Sequence, residues 1–416
     1  MKASLLTFIL LLSTLFCFAE DPYKCTLKGV VINRDSKRLI LKKYTDHRDI
    51  PGKKIAIENN AFEYTFDVDV TEGYQLIFED EFNSGVYNPI LFFPVAGLIE
   101  FKLHPQQQYK SNEIKGGKLN ADYLLFKTDM ENQFTARSKS IYAKQAKLEK
   151  LNQYYSPERD SLIKLSNTID HDKLDPSVYR RLGEIDRTGE GLTAQGKSIK
   201  KEHDDLEAER RQKRYSYIAA NISEATYQFI IADLQAAKNN DALRADISNV
   251  FPKFEAIYPN HPYSQLAGSV LVGYNKVKVG QQLANLSLPD LSGNIYTLQA
   301  LSKDKYTLID FWGSWCGPCI AATRTMLPVY QDFKDKGFAI VGIAKEYKTT
   351  KALQIALKRE KYPWLNLVEL DDKNGIWNKF GITTGTGMML LVDKQGKIVA
   401  VDPSAEEVRK VLAANL

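Results

Sequence analysis

The sequence predicts a multidomain chain with an N-terminal all-β sandwich, a helical middle region and a C-terminal α/β domain. Three observations carry this. Residues 23–117 hold short β-branched and aromatic runs cut by turn residues. Residues 118–275 change to Lys, Glu, Ala, Leu and Gln with a 3.6-residue apolar period. Residues 279–416 alternate continuous apolar runs with amphipathic segments. At 416 residues there is length for two or three domains. A net charge of +5 is small for this size, and no Lys/Arg cluster is interleaved with aromatics. Nucleic acid is therefore not an expected partner.

The elements follow in order. Met1-Lys2-Ala3, an apolar run over residues 5–18 and the small residue Ala19 predict a signal peptide over residues 1–19, so the chain is expected to be exported. The run is short for a transmembrane helix, and no other segment is a candidate span. Lipidation at Cys17 is disfavoured by Phe16, where a lipobox needs a small residue. Strands are expected over residues 25–32, 38–43, 61–70, 74–79, 90–93 and 99–103. His47 and His104 stand isolated and read as surface histidines.

Helical faces are expected from stripes such as Tyr142, Ala146, Leu148 and Leu151, or Tyr215, Tyr217, Ile218, Ile222 and Tyr227. The mixed charges of residues 184–214 predict a long solvated helix or a helical hairpin. Pro259 and Pro262 punctuate the end of this region. Beyond it, residues 306–311, 338–344 and 389–392 read as buried strands, and 397–401 as the return of a hairpin. Residues 320–335, 350–360 and 405–416 read as helices.

The chemistry sits in Asp310-Phe311-Trp312-Gly313-Ser314-Trp315-Cys316-Gly317-Pro318-Cys319. A strand is expected to end at Phe311 and a helix to begin near Cys316. The free N–H groups and positive end of a helix stabilise a thiolate there. Thiols of Cys-x-x-Cys sites have pKa values depressed from about 8.5 to roughly 3.5–7.5. Cys316 is the expected nucleophile toward a disulfide. Cys319, one turn on and expected to be the more buried, resolves the mixed disulfide. Pro318 is tolerated in the first helical turn, and Gly317 leaves room for a partner chain. Asp310, at the end of an apolar strand, is expected to have a raised pKa and to take the Cys319 proton, through a water or directly. A structural zinc site needs two more Cys or His ligands. No second Cys-x-x-Cys exists and no histidine follows His261, so neither a metal nor another cofactor is expected. A secreted chain this long with four cysteines does not depend on disulfides for stability. Cys25, left over, reads as an inert free thiol.

Trp315-Cys316-Gly317-Pro318-Cys319 resembles the thioredoxin active site. Residues 279–401 resemble the TlpA/ResA-type envelope thioredoxins. The matching pieces are Val279-Gly280-Gln281, residues 307–319 and 337–343, Phe380-Gly381-Ile382, Leu391-Val392-Asp393 and Gly396-Lys397-Ile398. The resemblance implies a thioredoxin fold over 279–416 and a periplasmic thiol–disulfide oxidoreductase. Its partners would be proteins with disulfides, with a membrane electron donor if it is a reductase. It matches Asp310 to the buried aspartate and Trp312 to the tryptophan beneath the site. Gly29, Ala61-Phe62, Pro94-Val95-Ala96-Gly97 and residues 114–120 resemble the β-sandwich of unassigned function that precedes such domains.

Three positions depart from the pattern. Gly387, after Thr386, stands where the family has a cis-proline; Ala322 stands for a glutamate; Arg324 stands for a helix-kinking proline. They bear on substrate choice, redox potential and rate. A peroxidase of the same fold is disfavoured by Cys-Gly-Pro-Cys. The remaining alternative is a thioredoxin-fold binding or scaffold module without significant turnover. The helical region is open to self-association.

Overall fold

A computed structural model describes residues 22–48, 50–169, 176–383 and 387–416. The expected leader, Cys17 and Thr386 lie outside them. Contacts divide the chain into two compact units, one of residues up to 44 with 52–117, the other of 45–51 with 118–416.

The first unit contains β1 (Tyr23–Val31), β2 (Arg38–Lys43), β3 (Lys53–Ala56), β4 (Ala61–Val68), β5 (Tyr74–Phe78), α1 (Glu79–Ser84), β6 (Ile90–Phe92), β7 (Gly97–Leu103) and β8 (Glu113–Lys115). They form two four-stranded sheets, β4-β1-β7-β8 and β3-β2-β5-β6. In β1 the period of two puts Cys25, Leu27 and Val31 inside. They join Leu39, Leu41, Leu76, Phe92, Ile99 and Phe101 in one core. Gly29 pairs with Phe62 across the ladder, and a Cβ there would come within 2.5 Å of the Phe62 ring. Cys25 is a fully buried free thiol whose pKa burial pushes up. The expected strand at 74–79 stops at Phe78, because Glu79, Asp80 and Glu81 open a helical turn. Arg34 binds the carboxylates of Asp80 and Glu81 at 2.8 and 2.5 Å.

The second unit begins with seven helices: α2 (Lys118–Lys150), α3 (Pro157–Thr168), α4 (Pro176–Thr188), α5 (Ala194–Ala220), α6 (Glu224–Ala237), α7 (Asp241–Ile257) and α8 (Pro262–Lys276). The charged stretch 184–214 is a hairpin, the end of α4 turning at Gly189 into α5. α2 and α5 run antiparallel. Ion pairs Asp129–Lys213, Arg137–Glu209 and Lys144–Glu202 set the register. This pairing buries Phe126, Phe134 and Ile141 of α2. Tyr142, Ala146 and Leu151 face solvent instead of forming the expected buried stripe. α6, α7 and α8 pack around Tyr227, Phe254 and Tyr263.

Then follow β9 (Ser287–Pro289), β10 (Ile295–Thr297), α9 (Leu298–Ser302), β11 (Tyr306–Trp312), α10 (Gly317–Phe333), β12 (Phe338–Glu346), α11 (Lys351–Glu360), β13 (Leu365–Leu370), α12 (Ile376–Lys379), β14 (Met388–Val392), β15 (Ile398–Val401) and α13 (Ala405–Asn415). The sheet order is β13-β12-β11-β14-β15. β11, β12 and β13 are mutually parallel, β14 pairs antiparallel with β11, and β15 pairs antiparallel with β14. α10, α11 and α13 cover one face, α9 and α12 the other. β11 sits centrally and is buried on both faces. Leu308 and Trp312 pack toward α10, Ile309 and Phe311 toward α12. The alternation puts Asp310 on the α10 side. This is a thioredoxin fold. Among the described residues no helix is long and apolar enough to cross a membrane.

Candidate active site

β11 ends at Trp312, and α10 starts at Gly317 with Cys316 as its N-cap and Pro318 in its first turn. Four residues therefore carry the chain from the sheet's centre to a helix N-terminus. Cys316 and Cys319 are joined in a disulfide with their Cα atoms 5.3 Å apart. A backbone donor faces each sulfur. The Cys319 N–H points at Cys316 Sγ at 3.3 Å, and the Gly387 N–H at Cys319 Sγ at 3.1 Å.

The connecting turn is held from the end of β12. The Ser314 N–H and hydroxyl both donate to the carboxylate of buried Glu346 at 2.7 Å. The Trp315 indole donates to the Lys345 carbonyl at 2.8 Å. Gly313 makes room, since a Cβ there would lie 2.6 Å from the Trp315 ring. Trp312 is fully buried and donates to Asn366 Oδ1 at 2.9 Å.

Asp310 is buried, and loss of solvation pushes its pKa up to about 7. Thr323 Oγ1 lies 2.7 Å from Asp310 Oδ2 and 2.8 Å from the Cys319 carbonyl. Its one proton serves one of them at a time, so a protonated Asp310 can donate to the hydroxyl while the hydroxyl donates to Cys319. A cleft of about 310 Å³ reaches both Asp310 and Cys319 and is bordered by Ala322, Gly387, Met389 and Lys238.

Several expectations need correction. Cys319 is not the more buried thiol: Cys316 is 2% exposed and Cys319 7%. Both cysteines belong to the core on the α10 side of the sheet, and the cleft opens beside Cys319. His47 is not an isolated surface residue. It is half-buried in the short segment 45–51, stacked on Tyr347 at 4.2 Å and 4.7 Å from the Trp315 ring. His104 is half-buried too. Gly317 is exposed, with open space where a Cβ would point. Gly387 is forced. A Cβ there would fall 1.5 Å from the Phe311 carbonyl oxygen and 3.2 Å from Cys319 Sγ. Arg324 forms a bidentate pair with Glu360 at 2.7 and 2.9 Å, and the proline inside α10 is Pro328.

Thr323, Glu346 and Lys238 are the site residues that sequence reasoning missed. Thr323 was legible as the residue one turn after Cys319. Glu346 was legible as an acid closing an apolar strand. Lys238, just past α6, carries no local signal.

Residues 279–401 match the model of the AhpC/TSA family, and residues 25–123 match DUF4369, a domain of unknown function. The thiol-disulfide oxidoreductase ResA of Bacillus anthracis is 29% identical over 126 residues, 30% of this chain and 69% of the relative. A thioredoxin-like protein of Haemophilus influenzae is 33% identical over 76 residues, 18% of this chain and 43% of its own. The thioredoxin domain of a thiol-disulfide oxidoreductase from Bacteroides vulgatus, a solved structure, aligns at 29% identity. It covers 33% of this chain and 97% of that one, with a TM-score of 0.31. With the strand–turn–helix dithiol in place, residues 279–401 form a thioredoxin-fold domain that matches the AhpC/TSA family model and is similar to the thiol-disulfide oxidoreductase ResA.

Proposed function

We propose that the protein reduces or exchanges disulfides of other proteins in the cell envelope through Cys316 and Cys319. The observation that carries this is the disulfide at the N-terminus of α10, each of whose sulfurs faces a backbone N–H. In the reduced form Cys316 is the thiolate that attacks a substrate disulfide. One substrate sulfur leaves as a thiolate and the other is joined to Cys316. Cys319 loses its proton to Asp310 and attacks Cys316 Sγ. The Cys316–Cys319 disulfide forms, and the second substrate sulfur leaves. Two electrons pass to the substrate, so each turnover needs a donor that returns them, in the envelope a membrane protein. Trp312 and Trp315 fix the turn, Pro318 starts the helix, and Gly317 offers an open surface to the substrate chain. The apolar run at residues 5–18 supports export to the periplasm.

Reduction of insulin by the wild-type chain and by Cys316→Ser tests the reading. Wild type should accelerate precipitation of the insulin B chain and the variant should not. One observation favours a scaffold without turnover: the small exposure of both sulfurs. Equal rates for the two proteins would establish it.

A further inference from the structure

The backbone of Asp310 is fixed in the middle of the sheet, paired with Gly342 of β12 on one side and Met389 of β14 on the other. Its carboxyl needs a separate anchor. We propose that Thr323, on α10, is a positioning residue for the proton transfer of the resolving step: its hydroxyl ties the Asp310 carboxyl to the backbone of Cys319 in both protonation states. This rests on the dithiol reading above, with Asp310 as the base.

The tie has two links. Thr323 Oγ1 lies 2.7 Å from Asp310 Oδ2 and 2.8 Å from the carbonyl oxygen of Cys319, one helical turn back. Asp310 and Thr323 are each 1% exposed, so little water competes for either link. A hydroxyl has one proton and two lone pairs. While Asp310 is protonated, the carboxyl donates to Thr323 and Thr323 donates to the Cys319 carbonyl. Once Asp310 is ionised, the Thr323 proton turns to Oδ2. The carboxyl therefore keeps its place before and after it takes the Cys319 proton.

Thr323 also decides how readily the carboxylate forms. Burial works against the anion, and the hydroxyl works for it. No other side chain among the described residues donates to Asp310. The titratable and charged groups around the carboxyl are Cys319 on α10, Tyr362 between α11 and β13, and Lys238 and Asp402 across the cleft. Each of the last three is engaged elsewhere. The Tyr362 hydroxyl points at the Ile320 carbonyl at 3.5 Å, and Lys238 Nζ faces Asp402 at 3.5 Å.

The pH profile of the reduced full chain reacting with 5,5′-dithiobis(2-nitrobenzoate) tests this. One thionitrobenzoate is released as Cys316 is modified. A second, absent in Cys319→Ser, is released as Cys319 displaces the adduct. In wild type the second phase should quicken with pH through an inflection near 7. Thr323→Val keeps the shape and removes the hydroxyl. Its inflection should move up by about one pH unit. At pH 7 its second phase should be about fivefold slower, as the carboxylate fraction falls from about a half to about a tenth. Thr323→Ser should keep the wild-type inflection. Thr325→Val, at an exposed hydroxyl that bonds the Ala322 carbonyl, should match wild type in both phases. Thr323→Ala also lacks the hydroxyl and decides the matter if Thr323→Val does not fold. An inflection that stays near 7 without the hydroxyl, or one displaced as far in Thr323→Ser as in Thr323→Val, overturns the inference. A wild type with no inflection overturns Asp310 as the base, and the inference with it. A wild type that never releases the second equivalent overturns the dithiol reading itself.

Discussion

A carboxyl held near neutrality inside a sheet is the most consequential single residue. The pKa of Asp310 rises from 3.8 to about 7, so the fold favours its protonated form while leaving the carboxylate available as a base near neutrality. Stability from this group is full below about pH 4 and is lost as pH rises through about 7. Roughly three pKa units correspond to about 4 kcal/mol. Asp310→Asn stays neutral at every pH. In urea titrations of the oxidised protein its advantage over wild type should therefore grow between pH 5 and pH 8. An advantage that is flat across that range would contradict the assignment. The same variant should slow resolution of the mixed disulfide by about a hundredfold and remove its inflection near pH 7. Cys316, Cys319 and Asp310 were legible in the sequence because spacing and an apolar context mark them. The depth of Cys316 was not, because it depends on the tertiary cluster that gathers around the N-terminus of α10. Nor was the role of Thr323, whose hydroxyl matters only once α10 lies across β11.

At the scale of elements, β14 begins where Gly387 passes the end of β11. The Phe311 carbonyl leaves no space for a Cβ, and the Gly387 amide is used. Restoring the family's usual residue by Gly387→Pro should therefore destabilise the protein. Both Gly387→Ala and Gly387→Pro should lower stability by more than about 3 kcal/mol, read by thermal melting. A melting temperature within a degree of wild type would show that the backbone yields. Strands with continuous apolar runs were easy to read. β13 was not, since Asn366 and Glu369 interrupt its pattern. Both are buried and satisfied, Asn366 by the distant Trp312 indole and Glu369 by the N–H and side-chain amide of Asn374, five residues on. The face of α2 was misread for a related reason. Its apolar residues lie on more than one side, and the antiparallel match with α5 selects Phe126, Phe134 and Ile141.

At the scale of the whole molecule, the order of sandwich, helices and α/β part was plain from texture, because periods of 2.0 and 3.6 residues differ over long stretches. The attachment of the helices to the α/β part was invisible. It runs through Gly273 and Gly381, two residues 108 positions apart that signal only by lacking side chains. The same blindness applies to Cys25, whose seclusion inside the sandwich no motif announces. That seclusion fixes a stoichiometry. Once the protein is reduced, an alkylating reagent applied without denaturant should label two of the three cysteines beyond residue 21, and guanidinium should release the third, as mass spectrometry would count. With the spare thiol of the described residues locked away, none of them offers an internal competitor that could capture a client half-way through exchange.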